Sequence, residues 1–462
     1  MYDYAVLVDF GSTYTKVVCV NLKERKVVVT DKFPSTVHSD AAIGLNQCFE
    51  VAIRTIGKEK FGSALKLATS SAAGGLRMAV VGLTNSISIE AGRNASFSAG
   101  AKIVCNTAGI LSKSDILKIE ESRAEILLLC GGHEGGNTYS LLKNAEILSE
   151  SNLTIPIIYA GNSHIEQEIR RIFMITGKEC FLAENIIPAV GSLNTEPTTE
   201  IIRELFMKRI TNMKGVGFVQ KEMNEMIVPT PAAVLAAGEL LSLGTKNQKG
   251  LGPLMMADIG GATTDIYSYL DNKSFSGAKR IGSPEPFAKR TVEGDLGMRE
   301  SSICLVNELG TENFAKKCGI SESKLNKAIE KRITTTEYIA LGSGQKHIDY
   351  CIACGAISLS ARRHAGTVSK EFNDGCRLIQ RGKNLTEIKT VIGTGGIIVN
   401  ESNAFDILKK VEIESSEVDQ VLLPEKIDAF IDQDYVLFAA GLLCKYDEEA
   451  ALTIMKKSLN LT

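Results

Sequence analysis

Two short segments with the same design constrain the fold of this chain more than any other feature. In each, an apolar run ends in an aspartate, a turn of glycine and hydroxyl residues follows, and a second apolar run begins. The first is VLVDFGSTYTKVV, with Asp9 and Lys16, and the second is MMADIGGATTDIYSY, with Asp258 in the position of Asp9. Apolar runs on both sides of a glycine-containing turn predict a β-hairpin. We therefore expect the chain to fold around two copies of one hairpin.

A carboxylate beside such a turn suits the binding of a polyphosphate. Backbone N–H groups and hydroxyls of the turn can bind phosphate oxygens, and the carboxylate can hold a hydrated Mg²⁺ that bridges them. Lys16 would return along the second strand and place a positive charge against the same phosphates. One such segment alone is equally well explained as an ordinary β-turn of an α/β sheet. Two copies favour phosphate binding, because two hairpins that face each other would clamp a polyphosphate from both sides.

Strand-like runs recur, with helix-length spacers between them, after the first hairpin. The spacers include TYSLLKNAEIL and SHIEQEIRRIFMI, which have apolar residues at helical spacing. Strands that alternate with helices predict a parallel, doubly wound sheet, and continuously apolar strands fit a sheet covered on both faces. The runs are MAVVGLT (78–84), KIVCNTAG (102–109), EILLLCGG (125–132), PIIYAGN (156–162) and ECFLAENI (179–186).

The rest of the chain predicts two helices rich in alanine and glycine and one glycine-rich strand end. The helices are VPTPAAVLAAGELL (228–241) and DYVLFAAGLLCKY (434–446), and their small residues suit close packing against another backbone. The strand end is TVIGTGGIIVN (390–400). We expect residues 285–370 to be mostly helical.

The order of these parts resembles that of the ATPase superfamily of actin, sugar kinases and DnaK-type chaperones. In that superfamily a phosphate motif, a connecting helix, a second phosphate motif, an adenosine motif and a second connecting helix follow one another. The resemblance implies an α/β fold of two duplicated actin-like (ribonuclease H-like) lobes with an inserted doubly wound, flavodoxin-like domain. The matching segments are DFGSTYTK (9–16), PTPAAVLAAGE (229–239), ADIGGATTDI (257–266), IGTGGI (392–397) and YVLFAAGLL (435–443).

The resemblance also implies domain boundaries. The two connecting helices would cross at a hinge, where small residues permit close approach. We expect the first lobe at 1–69 and 191–254, the inserted α/β domain at 70–190, the second lobe at 255–433, and the second connecting helix with the C-terminus at 434–462.

Roles of individual residues follow from the same resemblance. Asp9 and Asp258 would be the catalytic residues: Asp9 would hold the Mg²⁺ shell, and Asp258 would orient the attacking water or the metal shell. Glycines of the adenosine motif would let the adenosine lie against bare backbone, because a Cβ there would collide with it. The expected nucleotide-binding residues are Gly11, Ser12, Thr13, Tyr14 and Lys16, then Gly260, Gly261, Thr263 and Thr264, then Gly393, Thr394, Gly395 and Gly396.

Two further phrases, CGGHEGGNT (130–138) and TVEGDLGMR (291–299), narrow the resemblance. Together with the ATPase frame and the insertion, they are similar to the MutL (GlmL-type) family. These are accessory ATPases of adenosylcobalamin-dependent glutamate mutase and related carbon-skeleton mutases. The resemblance implies ATP and Mg²⁺ as cofactors and a cobalamin-dependent mutase as partner. It implies a slow ATPase that acts as a reactivating chaperone and releases damaged cobalamin from that partner.

We expect the insertion to bind this partner rather than a cofactor. Its strand spacing is similar to that of a cobalamin-binding module, but the first strand is followed by LTNSISIEAG (83–92), without an Asp-x-His-x-x-Gly to supply an axial imidazole. The insertion would then mimic the mutase's cofactor subunit without ligating cobalt; an elaborated lobe explains it equally well. Loops after the strands of such sheets bind partners or ligands, so Glu134 and Asn137 are the candidate partner-binding residues.

Charge and cysteine content argue against several other classes. The formal net charge is -2 and blocks of like charge are absent, so nucleic-acid binding is not expected. The start MYDYAVLVDF lacks the features of a signal peptide, and no apolar run approaches the length of a membrane span, so no membrane contact is expected. Eleven cysteines scattered through apolar contexts predict reduced thiols and a cytoplasmic location.

Three other functions on the same fold stay open. A small-molecule kinase would need a catalytic acid or base near the γ-phosphate, and no local signature provides one. An iron–sulfur activator ATPase would need cluster ligands, but Cys351 and Cys354 form a single CxxC in a helical setting, which favours a buried, reduced pair. His133 has no His or Cys at ligand spacing, which favours a loop contact with the partner or a structural hydrogen bond over a metal site. An actin-like filament protein usually has smaller insertions.

Overall fold

The structure is a computed structural model of the chain. It describes residues 2–11, 14–37, 39–71, 76–211, 215–335, 338–371, 377–417 and 420–461. Ser12 and Thr13, two of the predicted phosphate-binding residues, lie outside the described residues. Of the helices that the structure describes, none combines the length and the apolar character needed to cross a membrane.

The chain forms two compact units, and each contains one of the two hairpins. The first unit comprises residues 1–237, 282–284 and 438–451, and the second comprises 238–281, 285–437 and 452–462. The elements up to residue 243 are β1 (Tyr4–Phe10), β2 (Tyr14–Asn21), β3 (Lys26–Pro34), α1 (Ala41–Ile56), α2 (Lys58–Gly62), β4 (Leu65–Ser70), β5 (Arg77–Gly82), α3 (Glu90–Ser98), β6 (Lys102–Ala108), α4 (Lys113–Glu121), β7 (Ile126–Gly131), α5 (Tyr139–Glu150), β8 (Ile157–Gly161), α6 (Glu166–Ile175), β9 (Cys180–Leu182), α7 (Glu196–Thr211), α8 (Val216–Glu222), β10 (Val228–Pro229) and α9 (Thr230–Leu243).

The first sheet has β1 near its centre and the strand order β10-β4-β1-β2-β3. β1, β2 and β3 pair antiparallel, whereas β4 pairs parallel to β1 and β10 parallel to β4. The predicted hairpin is confirmed, with Asp9 directly opposite Lys16 in the ladder. One face of this sheet has three fully buried valines, Val6, Val8 and Val17. β-branched side chains of this kind pack well on the buried face of a sheet.

A second sheet of the first unit is formed by the predicted run of alternating strands and helices. All its pairings are parallel, and its order is β6-β5-β7-β8-β9. Counted from its first strand the order is 2-1-3-4-5, one of the two common doubly wound orders. Met78 and Val80 are buried on one face, and Ala79 and Val81 on the other. The doubly wound sheet with both faces covered is therefore confirmed.

The two sheets of the first unit share one hydrophobic core. Val6 and Val8 of β1 belong to the same buried cluster as Val80 of β5 and Leu128 of β7. Both sheets also fall within the same compact unit. A separate flavodoxin-like domain with boundaries at 70 and 190 therefore stays a prediction, because the insertion is not packed apart from the first lobe.

The second unit repeats the design of the first sheet. Its main sheet has the order β14-β12-β11-β17-β18, with a smaller sheet β13-β16-β15 beside it. The elements from residue 254 onward are β11 (Leu254–Ile259), β12 (Thr264–Tyr269), β13 (Lys279–Ile281), β14 (Ala288–Glu293), α10 (Ser302–Leu309), α11 (Thr311–Lys317), α12 (Glu322–Thr334), α13 (Ser343–His364), β15 (Thr367–Glu371), β16 (Arg377–Arg381), β17 (Thr390–Thr394), α14 (Gly396–Asn400), α15 (Ala404–Leu408), β18 (Asp428–Ile431), α16 (Leu437–Leu443) and α17 (Glu448–Ser458).

The duplication extends to the direction of every strand in the two main sheets. β11, β12 and β14 pair antiparallel, whereas β17 pairs parallel to β11 and β18 parallel to β17. Each sheet therefore has three antiparallel strands in series and two parallel strands on the other side of the first. This confirms the predicted α/β fold with two duplicated actin-like lobes.

The expectation that residues 285–370 are mostly helical is confirmed, although strand residues also lie within the segment. Helices α10 to α13 are present, but β14 lies inside the segment and β15 begins near its end. β14 carries Lys289 and Arg290, charged residues that are unusual in a covered strand. Both are buried, because Glu285 lies 2.8 Å from the Lys289 ammonium and Asp265 lies 3.2 Å from the Arg290 guanidinium. Because of these charged residues, the sequence pattern did not predict β14 as a strand.

The helices rich in alanine and glycine meet at their small residues, as predicted. A Cβ added to Gly441 of α16 would lie only 1.9 Å from the carbonyl oxygen of Ala233 in α9. Further along, the Cys444 thiol donates to the carbonyl oxygen of Ala236 over 3.8 Å. The two helix backbones therefore approach so closely that only glycine fits at position 441. Their predicted action as a hinge stays a prediction.

Candidate functional site

The turn of the first hairpin is tight, and a residue outside the hairpin is hydrogen-bonded to it. The Gly11 N–H donates to the Tyr14 carbonyl oxygen over 3.0 Å, and a Cβ on Gly11 would lie 2.7 Å from that oxygen. The Ser35 hydroxyl donates to the Gly11 carbonyl oxygen over 2.7 Å. Tyr14 begins β2 with an exposed side chain, and the Lys32 ammonium lies over its ring. The turn therefore requires glycine at position 11.

Asp9 is a buried carboxylate whose orientation is fixed by two hydroxyl groups. Asp9 is only 3% exposed. Thr69 at the end of β4 and Thr230 at the start of α9 both donate to Asp9 Oδ1, over 2.9 and 2.6 Å. The Lys16 ammonium lies 3.7 Å from Oδ2. One carboxylate oxygen is therefore held by the scaffold, and the other lies beside a positive charge.

Sequence reasoning did not predict Thr69 and Thr230. Thr69 lies opposite Asp9 in the parallel ladder of β1 and β4, and Thr230 is the first residue of α9. The available signal was topological: carboxyl ends of neighbouring parallel strands share one edge of a sheet, so a threonine that ends β4 lies beside an aspartate that ends β1. That signal requires knowledge of β4, which the sequence pattern did not predict.

The second hairpin repeats the turn of the first. The Gly260 N–H donates to the Thr263 carbonyl oxygen over 2.9 Å, which corresponds to the bond between Gly11 and Tyr14. Asp258 lies opposite Asp265 in the ladder, where the first hairpin has Lys16 opposite Asp9. The two hairpins therefore share geometry but differ in charge at the position opposite the aspartate.

A segment after β14, residues 296–301, supports the turn of the second hairpin. The backbone N–H groups of Met298 and Arg299 donate to the Gly260 and Gly261 carbonyl oxygens, over 3.0 and 2.7 Å. The Ser301 hydroxyl donates to the Ala262 carbonyl oxygen over 2.8 Å. Successive carbonyl groups of the turn thus point toward this segment, which overlaps the phrase TVEGDLGMR.

Arg299 anchors the supporting segment to the helices of the second unit. Its guanidinium donates to both carboxylate oxygens of Asp349 in α13, over 3.2 and 3.0 Å. Arg332 of α12 is fully buried and donates to Asp349 Oδ1 over 2.7 Å. Because paired and hydrogen-bonded charges of this kind resist displacement, the turn of the second hairpin is fixed to α12 and α13.

Thr264, a predicted phosphate contact, has a structural hydrogen bond in the fold, and its contact with phosphate stays a prediction. Thr264 is fully buried, and its hydroxyl donates to the Leu296 carbonyl oxygen over 2.5 Å. The hydroxyl thus holds the supporting segment against β12. Gly261 is exposed and Thr263 half-buried in the same turn. The structure therefore assigns Thr264 a structural contact.

The three glycines of the predicted adenosine motif have three different environments. A Cβ on Gly393 would lie 2.7 Å from Ile398 Cγ2, so this glycine is required by the core rather than by a ligand. Gly395 has φ +93°, and a Cβ there would lie 2.6 Å from Asp258 Oδ1. A Cβ on Gly396 would meet no protein atom within 4 Å. A Cβ on Gly393 or Gly395 would thus collide with the protein itself. Only at Gly396 would adenosine be the group that excludes a Cβ, as predicted for all three glycines.

Asp432 joins the end of β17 to the start of α16, and sequence reasoning did not predict it. The Thr394 hydroxyl donates to Asp432 Oδ2 over 3.3 Å, and the Val436 N–H donates to Asp432 Oδ1 over 3.0 Å. Burial raises the pKa of Asp432, although these hydrogen bonds act in the opposite direction. Thr394, a predicted nucleotide contact, thus has a structural partner as well.

Glu134 and Asn137 hold the loops at the carboxyl edge of the parallel sheet. Glu134 accepts hydrogen bonds from the Ser163 hydroxyl over 2.5 Å and from the Asn185 amide over 2.6 Å. Burial raises the pKa of Glu134, but these hydrogen bonds outweigh it, so the pKa is lowered. Asn137 accepts from the Ser140 N–H over 3.1 Å in the first turn of α5. Their predicted partner contact is untested, and replacing either residue would disturb the loops.

The crevice between β5 and β7, where the strand order reverses, is filled by Ser88. Its hydroxyl accepts hydrogen bonds from the N–H groups of Leu83 and Thr84, over 3.1 and 3.2 Å. A Cβ on Gly82 or Gly131 would lie within 3 Å of the Ser88 side chain, at 2.8 and 2.9 Å respectively. Ligands of doubly wound sheets usually enter at this crevice. Here a side chain of the protein occupies it.

His133 contacts the backbone of a neighbouring loop. Its imidazole lies 3.3 Å from the Ile187 carbonyl oxygen, a structural contact within the chain. Within the part of the chain that the structure describes, no three His, Cys, Asp or Glu side chains are grouped to hold a metal ion. A hydrated Mg²⁺ held by a bound nucleotide does not require such a group.

A family model described as MutL protein matches residues 5–459 of this chain. The chain belongs to the MutL family. Protein MutL of Clostridium tetanomorphum is 36% identical over 459 residues, 99% of this chain and 99% of that relative. The match therefore includes both hairpins, the parallel sheet and both helices rich in small residues.

Solved structures with a similar arrangement are distant from this MutL-family chain. Ethanolamine utilization protein EutJ from Carboxydothermus hydrogenoformans is 10% identical, with a TM-score of 0.31, covering 97% of this chain and 89% of that chain. Xylulose kinase from Bifidobacterium adolescentis is 11% identical, with a TM-score of 0.32, covering 98% of this chain and 93% of that chain. The fold of this chain is defined by its two duplicated strand orders.

Proposed function

We propose that this MutL-family protein is a slow ATPase that reactivates a cobalamin-dependent carbon-skeleton mutase, such as glutamate mutase. It binds Mg·ATP, and it couples the nucleotide state to the release of damaged cobalamin. The observation that carries the proposal is the duplication: two sheets of the same strand order each end their first strand in an aspartate beside the same tight turn.

The first hairpin fits the binding of a hydrated magnesium ion and phosphate. Mg²⁺, when bound with ATP, neutralises and orients the phosphates. Asp9 has one oxygen fixed by Thr69 and Thr230, so its other oxygen is available in a defined direction to accept from a water of the metal shell. Lys16, at 3.7 Å from that oxygen, supplies a positive charge at the same place. The backbone of the turn completes the phosphate contacts.

The second hairpin fits the positioning of the attacking water. Asp258 ends β11 beside Gly395, where a Cβ would lie 2.6 Å from the carboxylate. The adjoining turn cannot shift freely, since its carbonyl groups are bonded to the supporting segment that Arg299 anchors. The turn is thus fixed, and no side chain at position 395 crowds the carboxylate. Asp258 can therefore hold a water in one orientation, as a general base does.

The proposal makes the carboxyl edge of the parallel sheet the surface that contacts the mutase. The crevice that would otherwise accept a ligand is filled by Ser88, and Glu134, Asn137 and Asn185 hold the neighbouring loops in a fixed arrangement. A rigid set of loops suits a partner that must be recognised in one conformation. Differential binding of the two nucleotide states would then favour the mutase conformation that releases cobalamin.

The catalytic assignment is tested with Asp258→Asn, which removes a charge but little volume. We expect ATP turnover to fall by about 10²-fold, while ATP affinity changes by less than about threefold, since general-base contributions are of this size. Asp271→Asn, at an exposed position two residues after β12, is the matched control and should hydrolyse ATP normally. Near-normal turnover by Asp258→Asn would remove Asp258 from the catalytic residues.

The reactivation itself is tested with a mutase whose cobalamin has been inactivated. We expect recovery of mutase activity in the presence of this protein, Mg·ATP and intact adenosylcobalamin, and no recovery when ATP is omitted. ATP hydrolysis without recovery for any cobalamin-dependent mutase would contradict the proposal and leave a kinase or filament function. Stoichiometric iron in protein purified without oxygen would favour the iron–sulfur activator instead.

A further inference from the structure

A buried carboxylate outside the two hairpins joins three elements of the second unit. Asp432 follows β18 and is only 1% exposed. Its Oδ1 atom accepts hydrogen bonds from the Val436 N–H over 3.0 Å and from the Ser458 hydroxyl over 3.1 Å. Its Oδ2 atom accepts from the Leu437 N–H over 3.4 Å and from the Thr394 hydroxyl over 3.3 Å. The carboxylate thus links the end of β17, the start of α16 and the end of α17.

The strand end that Asp432 holds carries the predicted adenosine motif. In addition to the side-chain contact with Thr394, the Asp432 backbone N–H donates to the Gly393 carbonyl oxygen over 2.9 Å. Gly395 follows directly, and a Cβ there would lie 2.6 Å from Asp258 Oδ1. Thr394 therefore contacts Asp432, while its neighbour Gly395 lies beside the carboxylate that we propose as the general base.

The segment between Asp432 and α16 contains a strained residue. Tyr435 has a φ of 52°, in the left-handed region that bulky side chains rarely adopt. Its N–H donates to the Asp432 carbonyl oxygen over 3.3 Å, and the next residue, Val436, is bonded to the Asp432 carboxylate. Asp432 therefore holds the backbone on both sides of the strained residue. Strain of this kind persists only where the surrounding contacts enforce it, and it is concentrated at ligand sites and switch regions.

The chain passes from one compact unit to the other directly after this junction. Residues 285–437 belong to the second unit, whereas 438–451 belong to the first. Val436 and Leu437, which donate to the Asp432 carboxylate, are thus the last residues of the second unit before the chain enters the first. Asp432 therefore joins the predicted adenosine motif to the point at which the chain leaves the second unit.

We propose that Asp432 is a positioning residue for the nucleoside part of the nucleotide and couples that part to the first turn of α16. The inference rests on the proposed binding of ATP. Through Thr394 and the Gly393 carbonyl group, Asp432 sets the position of the strand end expected to contact adenosine. A ligand that fixes this strand end also fixes the carboxylate, and with it the N–H groups of Val436 and Leu437. A triphosphate without a nucleoside lacks the part that contacts this strand end.

The test compares the affinities of the full-length chain for Mg·ATP and for Mg·tripolyphosphate, which carries the phosphates without the nucleoside. We expect Asp432→Asn to bind ATP about tenfold more weakly but tripolyphosphate within about twofold of wild type, because only the nucleoside depends on hydrogen bonds to this carboxylate. Ser458→Ala is the matched control: it removes a donor from the same carboxylate on the α17 side, so its ATP affinity should be close to wild type. An equal loss of affinity for both ligands would show a general structural role and overturn the proposal.

A second measurement, amide hydrogen exchange of the wild-type chain, requires no variant. Saturating Mg·ATP should slow exchange at Val436 and Leu437, because their N–H groups are bonded to the carboxylate that the nucleoside fixes, whereas tripolyphosphate should not. Equal slowing by both ligands, or no slowing by bound ATP, would overturn the coupling while leaving the ATPase proposal intact. A wild-type chain that binds no ATP at all would overturn both.

Discussion

At the scale of single residues, Gly396 separates loss of ligand binding from loss of folding. A Cβ on Gly396 meets no protein atom within 4 Å, so Gly396→Val should fold normally yet weaken ATP binding by more than about tenfold, because the side chain enters the space expected for adenosine. Titration calorimetry with ATP and thermal unfolding of the same variant check both parts. An unchanged ATP titration would mean that the adenosine site lies elsewhere.

Gly395→Val is the contrasting variant. Its φ of +93° and the 2.6 Å approach of a Cβ to Asp258 make a side chain costly even without a ligand. We expect a lowered unfolding temperature in the absence of nucleotide, which Gly396→Val should not show.

The hydroxyl groups that orient Asp9 provide a second test at this scale. Thr230→Val keeps the shape of the side chain but removes the 2.6 Å hydrogen bond to Asp9. A hydrogen bond to a charged group contributes about 1.5–3 kcal/mol. We therefore expect at least a tenfold rise in the Mg²⁺ concentration that half-saturates ATP hydrolysis. Thr230→Ser retains the hydroxyl and should be close to wild type; equal Mg²⁺ dependence of both variants would exclude Asp9 from the metal shell.

The sequence identified which residues form the turns better than it identified why those residue types are needed there. Gly11 and Gly260 are at tight turns as expected, because a glycine between two apolar runs is typical of a hairpin turn. Gly393 and Thr264 were placed in the right segments, but their contacts were not predicted: a Cβ on Gly393 would collide with Ile398, and the Thr264 hydroxyl is bonded to Leu296. A motif gives position along the chain, whereas contact requires the fold.

At the scale of elements, the contact between α9 and α16 depends on one glycine. A methyl group on Gly441 would lie 1.9 Å from the Ala233 carbonyl oxygen, so Gly441→Ala must push the helices apart. Overpacking of this kind costs about 1–3 kcal/mol, which urea unfolding at equilibrium would measure. Gly344→Ala in α13 is the control: its Cβ meets nothing within 4 Å, so removing a flexible glycine should leave stability equal or about 0.5–1 kcal/mol higher. Equal effects of the two substitutions would contradict the close approach.

Two kinds of element that the sequence did not reveal are short strands and a strand with an atypical charge pattern. β10 and β18 are short strands at sheet edges, so their periodicity is too brief to recognise. β14 carries Lys289 and Arg290 in buried positions, which only the partners Glu285 and Asp265 make favourable. The apolar strands β5, β7 and β8 were predicted correctly, because a strand covered on both faces has few polar positions to obscure its pattern.

At the scale of the whole molecule, the duplicated sheet could be predicted from the sequence, whereas the shared core could not. The duplication was visible as two hairpins, since each copy carries its own aspartate and glycine turn. The single core that joins β1 to β5 and β7 was not visible, because burial of Val80 and Leu128 against the first sheet leaves the same apolar pattern as burial within a separate domain. Sequence periodicity reports that a face is covered but not which element covers it.

The surface proposed for mutase binding gives the last prediction, which rests on the reactivating function. Val190 is 86% exposed and Tyr139 is 63% exposed. Tyr139 begins α5 directly after the loop of Glu134, and Glu134 donates its N–H to the Pro188 carbonyl oxygen, which brings the Val190 segment beside that loop. Both apolar side chains therefore lie at the carboxyl edge of the parallel sheet, and neither holds the loops together as Glu134 does.

Val190→Glu combined with Tyr139→Glu should lower mutase reactivation by more than about tenfold, because a buried charge without a partner costs several kcal/mol at an interface. Basal ATP hydrolysis should stay within about twofold of wild type, since neither residue contacts a hairpin. The control is Met174→Glu, equally exposed at 70% but near the end of α6, a helix that leads from the carboxyl edge to the opposite edge of the sheet. Parallel loss of reactivation and hydrolysis, or an equal effect of Met174→Glu, would contradict docking at the carboxyl edge, as would tight stoichiometric cobalamin binding by the protein alone.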